Sequence, residues 1–427
     1  MSRFLFSLRL SAGTVLALAA VLTPSLAVLA PRGLAPLFVI AAIVVLVLHA
    51  VRKRSFPALE PKSPLLLAGV VIWGAISVLW SIVPEASLRM SVSLFGIFLA
   101  GLVLLAAVRS FSGADRNYFN ISLLAGALIG LGVLGFEVFS DAALLRLLKW
   151  GPGLTAEQIR VDLGINYFTY LKNGISVIAL LIWPVALLLW RRDRRLAAAV
   201  IFIAAAAAYF GESKASVAAL ATGAIFAGIG AILPKKGGVL LGFLIAAGVL
   251  LAPVPFYLAG DPQDSVELRE KAPAAAYNRL KIWHFTAQKI AQRPILGWGL
   301  DSSRVIPGGQ EEIKVYYDSR DSAGNRQFEF QERMPLHPHN AFLQVWLELG
   351  LIGAILCGLI PVSISLAICR ILPDGPNRAA AFGALGTALT LAGLSYGLWQ
   401  SWWLAALWLA ALFMIASQGL RKNGEPG

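Results

Sequence analysis

The chain has 427 residues, of which 58% are hydrophobic and 14% charged, with a mean hydropathy of +0.74; a soluble globular chain runs at about 45–50% apolar and about 25% charged, so a soluble fold is excluded. The apolar residues come in blocks of about 18–22, long enough to cross the hydrocarbon core as helices, and the short alternating segments of an outer-membrane barrel are missing. The net charge of +13 is spread over many short connections and forms no single face, which argues against a nucleic-acid partner and for contact with lipid head groups.

In chain order, spans are expected near 11–30, 34–51, 64–83, 91–108, 118–140, 171–190, 196–210, 215–233, 239–258, 342–369, 379–398 and 403–420. With a cytoplasmic N-terminus, one side collects Arg3, Arg9, Arg52, Lys53, Arg54, Lys62, Arg109, Arg116, the Arg191–Arg195 cluster, Lys235, Lys236, Arg370, Arg378, Arg421 and Lys422. The short connections opposite hold Arg32, Arg89 and Lys214. This bias places both termini in the cytoplasm. The first span resembles a signal peptide, but Pro31 directly after Leu26–Ala30 disfavours cleavage, and it is read as an anchor. Cys357 and Cys369 share one predicted helix at a separation too large for a disulfide and read as small apolar residues.

Two segments interrupt the hydrophobic rhythm, both on the extracytoplasmic side. The shorter, 141–170, contains Arg146, Lys149, Arg160 and Asp162. The longer, 259–341, holds eleven acidic and eleven basic residues and reads as a small folded module. Function is expected there, between spans over 1–258 and over 342–427, because the cytoplasmic connections are too short to build a site. Within it, Tyr277, Leu280, Trp283, Ala287 and Ile290 recur at helical spacing over 274–292, with Arg279, Lys281 and Lys289 elsewhere on the wheel. Pro294 ends that helix, Gly297-Trp298-Gly299 turns, and 311–333 reads as irregular or weakly stranded. The chain shows no internal repeat, phosphate loop, dinucleotide fingerprint or acidic metal cluster.

Of four histidines, two lie in Leu336-His337-Pro338-His339-Asn340, where the long segment re-enters the membrane. An imidazole there can take a proton from a sugar hydroxyl; two nitrogens without a third ligand make a poor metal site. Asn340, Gln344 and Glu348 recur every four residues and stripe one face of the entering helix. Such groups either face a cavity or hold helices together by hydrogen bonds, and both readings stay open. Lys214, Arg279 and Arg160 are fixed cations on the same side. Each also reads as an ordinary interfacial or surface charge, but together beside a histidine they would neutralise a leaving diphosphate without a metal or other cofactor.

At these residues the chain resembles the O-antigen ligase and polymerase superfamily. The pattern H-x-H-N-x-x-L-Q-x-x-x-E-x-G-x-x-G is matched from His337 to Gly353, and R-L-x-x-W followed by P-I-L-G-x-G is matched by Arg279–Trp283 and Pro294–Gly299. Where the family carries Ser-Arg in a short extracytoplasmic hairpin, this chain has Ser213-Lys214, which keeps the charge but loses the bidentate fork. The resemblance implies an all-α polytopic inner-membrane enzyme of about 12 transmembrane helices, with one large periplasmic loop containing helices, of GT-C-like glycosyltransferase architecture. It implies metal-independent, inverting transfer of O-antigen glycan from undecaprenyl pyrophosphate to a sugar of the lipid A core. By the same resemblance His339 is the general base, His337 orients the site or shares the proton, and Arg279, Lys214 and Arg160 bind the diphosphate. Asn340, Gln344, Glu348 and Trp283 support them. A polymerase of the same superfamily is the alternative, and a secondary transporter the second; the single dominant loop favours the ligase.

Overall fold

The computed structural model describes residues 11–51, 62–153, 155, 157–158, 168–232, 237–372 and 375–418. The Arg160 expectation falls outside them. The architecture is mainly helical: α1 (Ala12–Leu29), α2 (Leu34–Val51), α3 (Lys62–Ile76), α4 (Pro84–Arg109), α5 (Gly113–Phe139), the short α6 (Ala143–Trp150), α7 (Phe168–Trp190), α8 (Arg194–Phe210), α9 (Lys214–Ile232) and α10 (Gly237–Leu250). Two short helices, α11 (Pro253–Leu258) and α12 (Val266–Lys271), lead to α13 (Ala274–Gln292). A hairpin of β1 (Glu312–Arg320) and β2 (Arg326–Glu332) follows, then α14 (Ala341–Ile371), α15 (Gly375–Leu394) and α16 (Ser401–Ser417).

Eight described helices are long and apolar enough to cross a membrane. Four expected spans fall short on that measure: α3 with its following turn, and α16, are apolar but shorter, whereas α8 is 17 residues long and α15 carries a mixed Gly/Ala/Thr sequence. The bundle is organised around α7, whose 177–187 run is buried almost throughout, and which packs against α1, α5, α8, α15 and α16.

The 259–341 segment departs from an all-helical fold at the hairpin. Antiparallel pairing runs from Glu312↔Glu332 to Tyr316↔Phe328, and an irregularity precedes Arg320↔Arg326. An isolated two-stranded ribbon is marginal in water, and this one is stitched to α13. The Asn278 side chain donates to the Tyr316 carbonyl (2.7 Å) and accepts from its N–H (3.1 Å). Asp318 accepts the Ala274 N–H at the start of α13 (2.8 Å). The helical wheel left Lys281 off the packed face. Instead it is buried, with its ammonium donating to the Lys314 carbonyl and lying 5.0 and 5.2 Å from the Tyr277 and Tyr316 ring centres. Burial pulls its pKa down to about 8, against an opposing pull from Asp261.

The second determinant is a break inside α14. Gly350 sits at φ 62°, ψ −160°, outside the helical region, and the carbonyls before it lose their partners in the next turn. Trp298 N–H takes the Leu347 carbonyl (2.9 Å), Gly299 N–H takes Glu348 (2.8 Å), and the Trp73 indole takes Leu349 (3.0 Å). Beyond the break, Leu351 N–H returns to the Pro294 carbonyl (2.9 Å). The two backbones lie so close that a Cβ on Gly350 would overlap the Ile295 carbonyl, and one on Gly297 would meet Glu348.

Gly350→Ala is therefore expected to lower the thermal stability of the detergent-solubilised protein, by about 1–3 kcal/mol from the backbone conformation alone. The overlap adds to that. An unchanged melting temperature would contradict this account of the break.

Candidate functional site

The chain enters α14 through the Pro335–Asn340 segment. The Asn340 side chain caps the helix, accepting from Phe342 N–H (3.0 Å) and Leu343 N–H (3.2 Å). His339 lies at φ 54°, in the left-handed region, where a residue other than glycine costs about 1–3 kcal/mol and persists only if its surroundings hold it. Two contacts do so: Trp283 donates its indole N–H to the Pro338 carbonyl (2.9 Å), and His339 Nδ1 pairs with the Ser395 carbonyl (2.8 Å).

That second contact sets the chemistry of the ring. A carbonyl only accepts, so Nδ1 carries the hydrogen and the neutral ring leaves its lone pair on Nε2. Nε2 has no hydrogen-bond partner among the described residues. Burial first, with the Arg279 charge in addition, lowers the His339 pKa below the ordinary histidine value, while the Ser395 hydrogen bond opposes this.

His337 is differently placed. Its ring centre is 4.5 Å from that of His339. Its Nδ1 faces the His339 backbone N–H and its Nε2 faces the Gly397 N–H, each at 3.1 Å. Both neighbours are donors, whereas a neutral imidazole offers one lone pair and an imidazolium none. Burial, then the charges of His339 and Arg304, push its pKa down to about 3. His337 is thus neutral, and its single lone pair accepts from one of these two N–H groups at a time.

Arg279 projects from α13 within electrostatic reach of His339, half-buried and without an ion-pair partner among the described residues. Lys214, at the start of α9, is exposed and lies 4.0 Å from Asp318 of the hairpin. A third cation, Lys172 on α7, interacts electrostatically with both and with Glu212. Its sequence signal was hidden, because a lysine near a span end reads as an interfacial charge.

The Ser395-Tyr396-Gly397 turn joins His339 to these cations. Ser395 holds His339 and Gly397 holds His337. The Tyr396 hydroxyl donates to the Lys172 carbonyl (3.1 Å) and exchanges a hydrogen bond with Ser176 (2.9 Å). The line continues from Ser176 to Ser216 (2.9 Å) and Ser213 (2.8 Å), beside Lys214.

Glu348 and Gln344 face inward. Fully buried Glu348 accepts from Ser303 and Gln344 on one oxygen, and from Asp301 N–H (2.6 Å) and the Trp399 indole (2.7 Å) on the other. Gln344 also accepts the Leu398 N–H (2.8 Å). These side chains clamp α14 to the 301–303 and 397–400 segments, leaving no lone pair turned toward His339.

The model of the O-antigen ligase family matches residues 198–358, which include Lys214, Arg279, His337, His339 and Gly350. Among similar chains is a protein of Rickettsia felis named "Putative polysaccharide ligase", 27% identical over 84% of this chain and 81% of its own length. Proteins of the same description from Rickettsia bellii (28% identity, 84% and 81% coverage) and Rickettsia typhi (26%, 81% and 78%) are also similar.

Glu348→Gln turns one acceptor oxygen into a donor facing donors, and is expected to cost about 1–3 kcal/mol, read as a lower melting temperature in detergent. An unchanged melt together with lost activity would instead make Glu348 a participant in the chemistry.

Proposed function

We propose that this chain, a member of the O-antigen ligase family, transfers a glycan from undecaprenyl pyrophosphate to a sugar of the lipid A core at the periplasmic face of the inner membrane. The orientation expected from the Lys/Arg bias, with both termini cytoplasmic, puts the 259–341 segment and the histidines on that face. The observation that carries the reading is the free Nε2 of His339 within electrostatic reach of Arg279, which in turn interacts with Lys172, the neighbour of Lys214.

In this mechanism the donor diphosphate lies against the three cations. His339 Nε2 takes the proton of the acceptor hydroxyl as its oxygen bonds to the anomeric carbon. The bond from that carbon to the phosphate oxygen breaks on the opposite face, and its electron pair leaves with undecaprenyl diphosphate. Configuration inverts. Arg279, Lys172 and Lys214 stabilise the charge that develops on the leaving group.

Because the neutral imidazole is the active form, kcat/KM is held above the His339 pKa and falls as pH drops through it. That acid limb is expected below the ordinary histidine value of about 6.5. Arg279→Gln removes a charge that lowers the pKa, so the limb should move to higher pH; a limb that stays in place would contradict the coupling. In a strain deleted for the gene, silver-stained lipopolysaccharide should collapse to bare core while lipid-linked polymer accumulates. His339→Ala, expected to lose about 10²–10⁴-fold in rate, should not restore the ladder. Core carrying one repeat would identify a polymerase, and an unchanged ladder would overturn the proposal.

A further inference from the structure

The hairpin carries a line of aromatic rings that runs from the buried face of α13 to an exposed end. Tyr277 is buried on α13, two residues before Arg279, and its ring is 5.8 Å from Tyr316 on β1. Tyr316 is 5.8 Å from Phe328 on β2, and Phe328 is 5.7 Å from Phe330. Exposure rises along this line from 1% at Tyr277 to 41% at Phe328 and 59% at Phe330. The paired register puts Lys314, Tyr316, Phe328 and Phe330 on one face of the ribbon.

The opposite face of the ribbon is polar. Tyr317 donates to Glu329 (2.7 Å), Gln331 donates to the Tyr317 hydroxyl (3.3 Å), and Ser319 donates to Gln327 (2.7 Å), all exposed. On the aromatic face the Lys314 ammonium lies 4.3 Å from the Phe328 ring centre, and the register adds the Glu312 and Glu332 carboxylates; exposed rings flanked by such groups suit a pyranose, which offers an apolar C–H face and a rim of hydroxyls.

Charge and position narrow the occupant. Residues 312–332 hold five acidic and three basic side chains, so an anionic membrane surface or a polyanionic glycan is repelled. At its other end the hairpin is fixed to the cation cluster, through Asp318 to Lys214 (4.0 Å) and through Asn278 next to Arg279.

We propose that the Phe328–Phe330 face of the hairpin is a glycan subsite, which binds the uncharged, hydroxyl-rich oligosaccharide of the lipid-linked donor while the cations hold its diphosphate. The subsite rests on the transferase reading for its occupant, but its binding can be measured without turnover. The full chain in nanodiscs is mixed with the delipidated oligosaccharide released by mild acid from the host's lipid-linked intermediates. Saturation-transfer NMR is then read on the sugar C–H protons. Wild type should give transfer, and the Phe328→Ala/Phe330→Ala double variant should bind roughly 5- to 10-fold more weakly, the scale of losing stacked aromatic contacts. Both side chains are exposed, so the variant should keep the wild-type melting temperature. No transfer in wild type, or equal binding by the variant, would overturn the subsite. Turnover by wild type of the intact donor is measured separately. Its absence would sink the transferase reading, while the binding result would stand on its own.

Discussion

The break in α14 at Gly350 is the constraint on which the site depends. A continuous helix would satisfy the carbonyls of Leu347, Glu348 and Leu349 internally, leaving nothing to hold the Pro294–Gly299 turn. Because the helix opens there, those carbonyls capture Trp298, Gly299 and the Trp73 indole. That turn is the C-terminal anchor of α13, the helix that carries Arg279 and Trp283. Glu348 locks the same junction with four donors, one from Gln344 on its own helix and three from two further segments. The geometry between the cation on α13 and the histidine ahead of α14 is thus set by backbone docking, which tolerates little drift in a packed interior.

On that frame, one backbone carbonyl decides which histidine keeps an open ring nitrogen. Ser395 fixes the tautomer of His339 and leaves Nε2 open, whereas both His337 nitrogens are met by backbone donors. The left-handed conformation of His339 is the accompanying strain, held by Trp283 on one side and Ser395 on the other. The Ser395–Gly397 turn also reaches Lys172 and the Ser176–Ser216–Ser213 line. In the proposed reaction, the base and the groups that receive the leaving diphosphate therefore share one support.

Much of this was legible in the sequence, for physical reasons. Helices long enough to span are written in hydropathy, and His337-Pro338-His339-Asn340 stands out because four polar or rigid residues precede a long apolar run. The polar stripe of Asn340, Gln344 and Glu348 was visible as spacing. Spacing could not say that Asn340 caps the helix while the other two bind neighbouring segments. Lys172 was hidden because its electrostatic coupling to Arg279 and Lys214 exists only in space, not in the spacing of the sequence. Ser395 acts through its main chain and leaves no side-chain signature. Lys281 was misplaced because wheel reasoning assigns a charge to solvent, and here two tyrosine rings and a carbonyl replace the water. The hairpin was faint because both its faces are largely exposed, so no apolar alternation marks it.

The central claim is that His339 is held neutral with its hydrogen on Nδ1 and its lone pair on Nε2. Solid-state NMR of ¹⁵N-histidine-labelled protein in nanodiscs, with His339→Gln identifying the resonance, tests this directly across a pH titration. The account predicts a protonated Nδ1 and an unprotonated Nε2 at neutral pH, with the second proton arriving only below the ordinary histidine range. A resonance showing hydrogen on Nε2, or an imidazolium at neutral pH, would contradict it.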